Sequence, residues 1–312
     1  MISARGLSRS FNGVAAVEDL SFNVATGSLF ALVGPNGAGK TTTVRLLMGL
    51  IGPTAGTASV AGYRVGGGAD SGPLLRRACG LLTEAPGFYD RMSAHDNLQF
   101  FGRLYGIPER TLAHQLEHYL RLLELWDRRD DPVGTFSKGM KQRLAIIRAL
   151  FHEPKVVFLD EPTAGLDPEA ALEVRELIAQ LKTEGRTIVV CTHNLDEAER
   201  LADHVGILRG RLLVCDSLAR LRSGMDGDGT LTVRITLTGP AASYATALSA
   251  ERPVPDLREV LATDFVLSAR CLPDGVPALV AWLAGRGAGI RDVRSAADSL
   301  ESIYLRVVRG ER

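Results

Sequence analysis

The chain lacks what several large protein classes require. No apolar run approaches the roughly 18 residues of a membrane-crossing helix, so any membrane role must go through a partner. The opening residues, Met1-Ile2-Ser3-Ala4-Arg5-Gly6, carry no apolar signal region. Cysteine is scarce: Cys79, Cys191, Cys215 and Cys271 are scattered and form no C-x-x-C pair. They read as free, buried thiols in a reducing compartment rather than as a paired framework. A basic excess is missing too, with 36 Lys and Arg against 36 Asp and Glu, which argues against a nucleic-acid binder. Lysine is rare, limited to positions 40, 138, 141, 155 and 182; arginine takes its place, a preference we read as genome composition and not as function.

What remains is a globular composition with room for two domains. The chain has 312 residues, 46% of them hydrophobic, enough for a large core. Its most specific stretch is Gly34-Pro35-Asn36-Gly37-Ala38-Gly39-Lys40-Thr41-Thr42, which fits G-x-x-x-x-G-K-[ST] without a mismatch. Glycines let the backbone turn several N–H groups inward as an anion nest. The helix expected from about Thr41 to Leu50 points its positive end at the same spot. Lys40 adds a full charge for the outer phosphates, and the Thr41 hydroxyl can reach Mg²⁺. The setting is right as well. Ser28 to Val33 reads as a short buried strand, so strand, loop and helix follow in order. The chain is therefore expected to bind a nucleoside triphosphate.

Around this loop the pattern alternates between strands and helices. Residues 1 to about 30, with turns at Gly13 and Thr26-Gly27, predict a small antiparallel sheet; Phe11 sits in it as a lone aromatic. Thr57–Val60 and Ala78–Leu82 read as strands, the second ending in the loop from Thr83 to Gly87. From there to about Leu150 apolar residues recur at helical spacing. Ser93 can cap a first helix, and Leu112, Leu116, Tyr119, Leu120 and Leu123 line a second. Ser137 is a plausible N-cap for a third, which buries Leu144, Ile147 and Leu150. Lys155-Val156-Val157-Phe158-Leu159-Asp160-Glu161 is a buried parallel strand that delivers carboxylates to its C-terminal edge, where open α/β sheets bind ligands. Two adjacent acids there need compensation, which Mg²⁺ would supply. A helix from about Pro168 to Glu184 follows. Thr187 to Thr192 is another apolar strand, tipped by His193. Val205 to Asp216 suggests a closing pair of short strands.

Taken together and in order, the phosphate loop, Ser137 to Arg143, Asp160-Glu161 and His193 resemble the ATPase subunit of an ATP-binding cassette (ABC) transporter, over about residues 1–222. The resemblance implies an α/β fold: a P-loop NTPase core with an antiparallel β subdomain and a helical subdomain at about 86–150. It implies Walker A at Gly34–Thr42 and Walker B at Val156–Asp160, with Asp160 on Mg²⁺ through water. Glu161 is then the catalytic carboxylate that polarises the attacking water, and His193 the switch histidine at the γ-phosphate. Ala164 to Asp167 is the D-loop, and Phe11 falls at the adenine-stacking position. Ser137 and Gly139 would act across a homodimer with ATP at its interface. The signature, typically Leu-Ser-Gly-Gly-Gln, reads Phe136-Ser137-Lys138-Gly139-Met140. The loop that normally carries Gln offers Glu84, still able to accept from a Mg²⁺-bound water. Both departures resemble exporter-type subunits that pair with a separate integral membrane permease. The expected place is then the cytoplasmic face of the cell membrane, with no nucleic-acid partner. A soluble cassette ATPase acting on DNA or ribosomes is the alternative; it is disfavoured by the neutral charge, the single cassette and the absence of a long coiled-coil insertion. An ATP-gated module that does not hydrolyse is disfavoured by the intact Asp160, Glu161 and His193.

Beyond a Gly- and Asp-rich linker at 223–229, residues 230–312 predict a small accessory α+β domain. Strands are expected at Leu231–Leu237, Phe265–Leu267 and Ile290–Val293, and a helix at Val276–Ala284. Asp298-Ser299-Leu300-Glu301 resembles a capping box at the start of a last helix. Ser299 to Leu305 resembles the C-terminal segment of the same exporter branch.

Overall fold

Strands that bury both faces read as continuous apolar runs, and the chain has three of them at the centre of its main sheet. In the computed structural model, which describes residues 1–68, 71–83, 87–222, 230–296 and 299–309, the elements run as follows. The first stretch holds β1 (Ile2–Phe11), β2 (Val14–Val24), β3 (Leu29–Val33), α1 (Lys40–Leu47), β4 (Ala55–Val60), β5 (Tyr63–Arg64), α2 (Ser71–Arg77) and β6 (Cys79–Leu82). The helices α3 (Ala94–Leu104), α4 (Glu109–Leu122) and α5 (Lys138–Leu150) come next. Then follow β7 (Val156–Asp160), α6 (Pro168–Thr183), β8 (Thr187–Thr192), α7 (Leu195–Leu201), β9 (His204–Arg209) and β10 (Arg211–Ser217).

Six strands form the central sheet, in the order β10-β9-β3-β8-β7-β6, and the run from β9 to β6 is parallel. Alternation along each strand sends side chains to two cores. Val157, Leu159, Ile188 and Val190 face the helical layer of α3 to α6. Phe158, Val189, Phe30 and Leu32 face α1 and the antiparallel sheet. There Phe22 of β2 stacks on Phe30 at 5.1 Å between ring centroids. The antiparallel sheet has the order β2-β1-β4-β5. Half of it comes from residues 1–30, as expected; the other half is supplied from beyond the phosphate loop. Register places the tips of three parallel strands side by side: Val33 lies opposite Thr192, and Asp160 opposite Cys191.

Helix ends follow local chemistry. Ser93 accepts from Asp96 N at 2.9 Å, Ser137 from Met140 N at 3.2 Å and Asp167 from Ala170 N at 2.9 Å, each an N-cap. Cys79, Cys191 and Cys271 are buried and free, and burial pushes the Cys79 thiol up to about 12. Cys215 departs from the expectation: it is free but exposed.

The chain divides into two compact units, Met1–Asp216 and Ser217–Arg312. Residues 217–222, read with the cassette from sequence, fall in the second unit by contacts; the linker at 223–229 and Asp298 lie outside the described residues. The second unit holds α8 (Leu218–Arg222), β11 (Leu231–Leu237), α9 (Ala242–Glu251), β12 (Arg258–Thr263), β13 (Val266–Cys271), α10 (Val276–Gly285), β14 (Ile290–Ala296) and α11 (Leu300–Arg309). Its sheet is antiparallel, in the order β12-β13-β11-β14. A β-α-β-β-α-β sequence with that order is a ferredoxin-like layer. Val233, Ile235 and Leu237 of β11 pack with Leu279 and Leu283 of α10. Ser299 caps α11, accepting from Ser302 N at 3.2 Å.

Candidate functional site

The loop from Gly34 to Gly39 leaves the tip of β3 and feeds directly into α1. Two glycines are required by space. At Gly34 a Cβ would lie 2.3 Å from the Leu208 carbonyl oxygen, and Gly39 holds φ at 102° under Val17 and the Ala16 carbonyl. The side chains behind the loop converge on one point. Lys40, only 6% exposed, donates to Gly34 O at 2.6 Å and lies 3.4 Å from Glu161 Oε1. Thr41 donates its hydroxyl to Asp160 Oδ2 at 2.7 Å, across 119 residues of sequence.

Glu161 follows the tip of β7 in the left-handed region, with φ of 52°. A non-glycine residue pays strain there, and such positions cluster at functional sites. The strained turn is fixed by Glu161 N donating to Cys191 O at 2.8 Å. Its carboxylate is aimed at the tip of β8. There the His193 N–H donates to Oε1 at 3.1 Å, and His193 Nδ1 lies 2.9 Å from Oε2. Glu161 is nearly buried, whereas His193 is 59% exposed and faces open solvent.

These groups line one open cleft of about 330 Å³. Pro35, Asn36, Gly37, Ala38, Gly39, Lys40, Thr41, Thr42, Asp160, Glu161 and His193 all border it, and Gly34 sits at its base, donating to Thr192 O at 3.4 Å. Other residues expected at the site lie elsewhere. Phe11 ends β1, 43% exposed, with the Arg9 guanidinium 4.6 Å over its ring. Ser137 and Gly139 form the N-terminal turn of α5 and do not border the cleft. Glu84 lies outside the described residues. Ala16 and Ala164 border the cleft without having been singled out as binding residues; Ala164 lies in the segment read as the D-loop, while nothing in sequence marks Ala16.

The chemistry of the cleft suits a triphosphate with a hard divalent cation. It offers the N-terminal start of α1, one ammonium, and paired hydroxyl and carboxylate oxygens. Mg²⁺ is held by one or two carboxylates plus phosphates and water rather than by an all-protein cage. Thr41 Oγ1 and Asp160 Oδ2 fit that donor set, and no group of three or more His, Cys, Asp or Glu placed to hold a metal ion by themselves occurs among the described residues.

The fold and cleft together define a P-loop nucleotide-binding ATPase. The ABC transporter family profile matches residues 17–164. The chain is 40% identical over 215 residues to the bacitracin transport ATP-binding protein BcrA of Bacillus licheniformis, covering 68% of each chain. It is 29% identical over 307 residues to the linearmycin resistance ATP-binding protein LnrL of Bacillus subtilis (strain 168), covering 98% of this chain and 97% of that one. A solved ATP-binding subunit of an ABC transporter superposes with a TM-score of 0.66 at 34% identity, over 71% of this chain and 92% of that one. The protein belongs to the ATP-binding subunits of ABC transporters and is an ATPase.

Proposed function

We propose that the chain binds MgATP in this cleft and hydrolyses it as a homodimer, to drive export through a separately encoded membrane permease. The observation that carries the catalytic part is the Glu161 carboxylate, gripped by Lys40, the His193 amide and the His193 ring at one end of the phosphate loop. Phosphoryl transfer needs positioning and charge neutralisation more than covalent chemistry. Lys40 and the loop N–H groups neutralise the phosphates. Thr41 and Asp160 would hold Mg²⁺, which would supply further neutralisation of the phosphate charge. Glu161 orients and polarises the attacking water, and His193 contacts the γ-phosphate. Phe11 stacks the adenine on the ring face away from Arg9.

Assembly rests on what the single cleft does not contain. Ser137 and Gly139, the phosphate-cradling part of the signature, lie outside it. A second copy supplies them in the homodimer, and each copy completes the other's site. No helix among the described residues is long and apolar enough to cross a membrane. The helical layer exposes Tyr89, Phe100 and Leu104, with Tyr89 and Phe100 packed edge to face at 5.4 Å. Such an apolar patch fits a permease loop and would hold the chain at the cytoplasmic face of the membrane. The permease then selects the substrate. Resistance and transport functions in the names of LnrL and BcrA support export.

The deciding experiment is Glu161→Gln. It is expected to keep ATP binding and nucleotide-dependent dimerisation while lowering turnover by about 10²-fold or more. Near-normal phosphate release would remove Glu161 from this role.

A further inference from the structure

The loop between Glu161 and α6 is clamped from two sides. Gln142 of α5, 7% exposed, donates Nε2 to Pro162 O at 2.8 Å. Opposite it, the Thr163 hydroxyl donates to Glu197 Oε1 at 2.9 Å. Glu197 is the third residue of α7, the helix that starts two residues after His193, and it is 1% exposed.

An acid in that position ordinarily closes a capping box, reaching back to the N-cap N–H. Here only half the box is made. The N-cap Asn194 accepts from Glu197 N at 3.2 Å, but the Asn194 N–H goes to Thr192 Oγ1 at 3.0 Å. The Glu197 carboxyl is thereby released from the helix end and turned into the protein. Its second oxygen, Oε2, is buried without a hydrogen-bond partner. Burial pushes this carboxyl up from its ordinary range; the Thr192 and Thr163 hydroxyls oppose the shift, Glu161 adds to it and Arg175 opposes it. Leaving a buried polar oxygen unpaired is costly, so the helix end alone does not account for an acid here. What the carboxyl does touch is the loop on which Glu161 stands, through Thr163, with the Thr192 hydroxyl at the tip of β8 beside it.

We propose that Glu197 is a positioning residue for ATP hydrolysis: through Thr163 it ties the loop carrying Glu161 to the helix that follows His193. It thereby fixes the distance between the Glu161 carboxylate and His193. The inference rests on the reading of Glu161 as the carboxylate that orients water. Glu197 touches no reacting atom, so its effect must appear in turnover and not in nucleotide affinity.

The test uses the full chain and compares Glu197→Ala, Glu197→Gln, Thr163→Val and the double variant T163V/E197A. It reads kcat, KM for MgATP and thermal unfolding. E197A and T163V are each expected to lower kcat about tenfold, the order seen when a supporting residue is lost, while KM moves less than about threefold. The double variant should be no worse than either single one, because both remove the same hydrogen bond. E197Q should stay within about threefold of the parent, since its amide oxygen accepts from Thr163 as the carboxyl does. The proposal is overturned if T163V keeps kcat within twofold, if the losses appear in KM, or if they multiply in the double variant. Should E197A fail to fold, T163V decides, because it leaves Glu197 in place. Glu161→Gln runs alongside: normal turnover in it sinks the reading of Glu161, whereas a dead E161Q with an unaffected T163V sinks only the role of Glu197.

Discussion

The six-stranded sheet of the first unit and the four-stranded sheet of the second place their charged residues in opposite ways. In the six-stranded sheet, the parallel run from β9 to β6 brings every strand to the same edge. Lys40, Asp160 and Glu161 are gathered there nearly out of solvent. The ferredoxin-like sheet is antiparallel, and its connections leave from both ends. Its charges lie across a face: Arg234, Arg294 and Arg258 are exposed, and Arg270, opposite Arg258, is 11% exposed but already paired with Glu259 and Thr230. Buried charge must be compensated by a partner or a ligand, while spread guanidinium groups can be solvated. The contrast locates chemistry in the first unit by the energetics of burial, and not by charge content.

Removing the buried cation should break this contrast most strongly. Lys40→Ala is expected to cut phosphate release by about 10³-fold and to weaken nucleotide binding; retention of a tenth of the parent rate would show that the loop N–H groups suffice. Next in size is a core deletion in the other unit. Leu267→Ala, fully buried in β13, should destabilise that unit by about 2–5 kcal/mol. A melting scan would register the loss while ATP turnover stays within twofold; a parallel collapse of turnover would mean that the second unit serves the chemistry. Phe11→Ala sharpens the outline of the site, because Phe11 lies off the cleft. Loss of base stacking, about 1–3 kcal/mol, predicts roughly tenfold weaker ATP binding by titration, and unchanged affinity would place the adenine elsewhere.

The smallest effect concerns pH. Asp203 is partly buried, which by itself would raise its carboxyl. The Leu29 N–H at 2.9 Å and Lys182 at 2.6 Å instead hold it below the ordinary range. A depressed carboxyl adds stability above its unfolded pKa of about 3.9 and loses it as pH falls through the lower folded value. Lys182 and Asp203 are each about a third exposed, so the contribution is only about 0.5 kcal/mol after screening. Asp203→Asn should therefore flatten the acid limb of the stability curve slightly below about pH 4; an unchanged limb in urea titrations would dismiss the pair.

Features stated by residue type and local order were readable from the sequence. The phosphate loop, the acid-tipped strand β7 and the strand ending at His193 each combine an apolar run with one polar tip, and each stands where that pattern puts it. Short elements escaped. The helices α2 and α7 have seven residues each, too few to show a helical period. Strand β12 is largely exposed, so it carries no strong alternation, and α9 is apolar without a clear face. Contacts across the sheet were beyond local reading. Nothing in spacing joins Thr41 to Asp160 or Thr163 to Glu197, because those pairs depend on strand order. The left-handed backbone at Glu161 gave no signal either, since the residue there is not glycine.

Strand order also sets a timetable. The strand before the phosphate loop, β3, is flanked on both sides by β8 and β9, which are among the last strands of the cassette to leave the ribosome. At about 5–20 residues per second, the nascent loop waits on the order of ten seconds for neighbours. Until residue 192 has been made, the histidine strand cannot wedge between the lysine strand and the acid strand, and a shorter fragment lacks the register that sets those three strand tips side by side. Translation that stalls within α6 should therefore leave a chain with both phosphate motifs written and neither usable, a moment at which ATP cannot rescue folding.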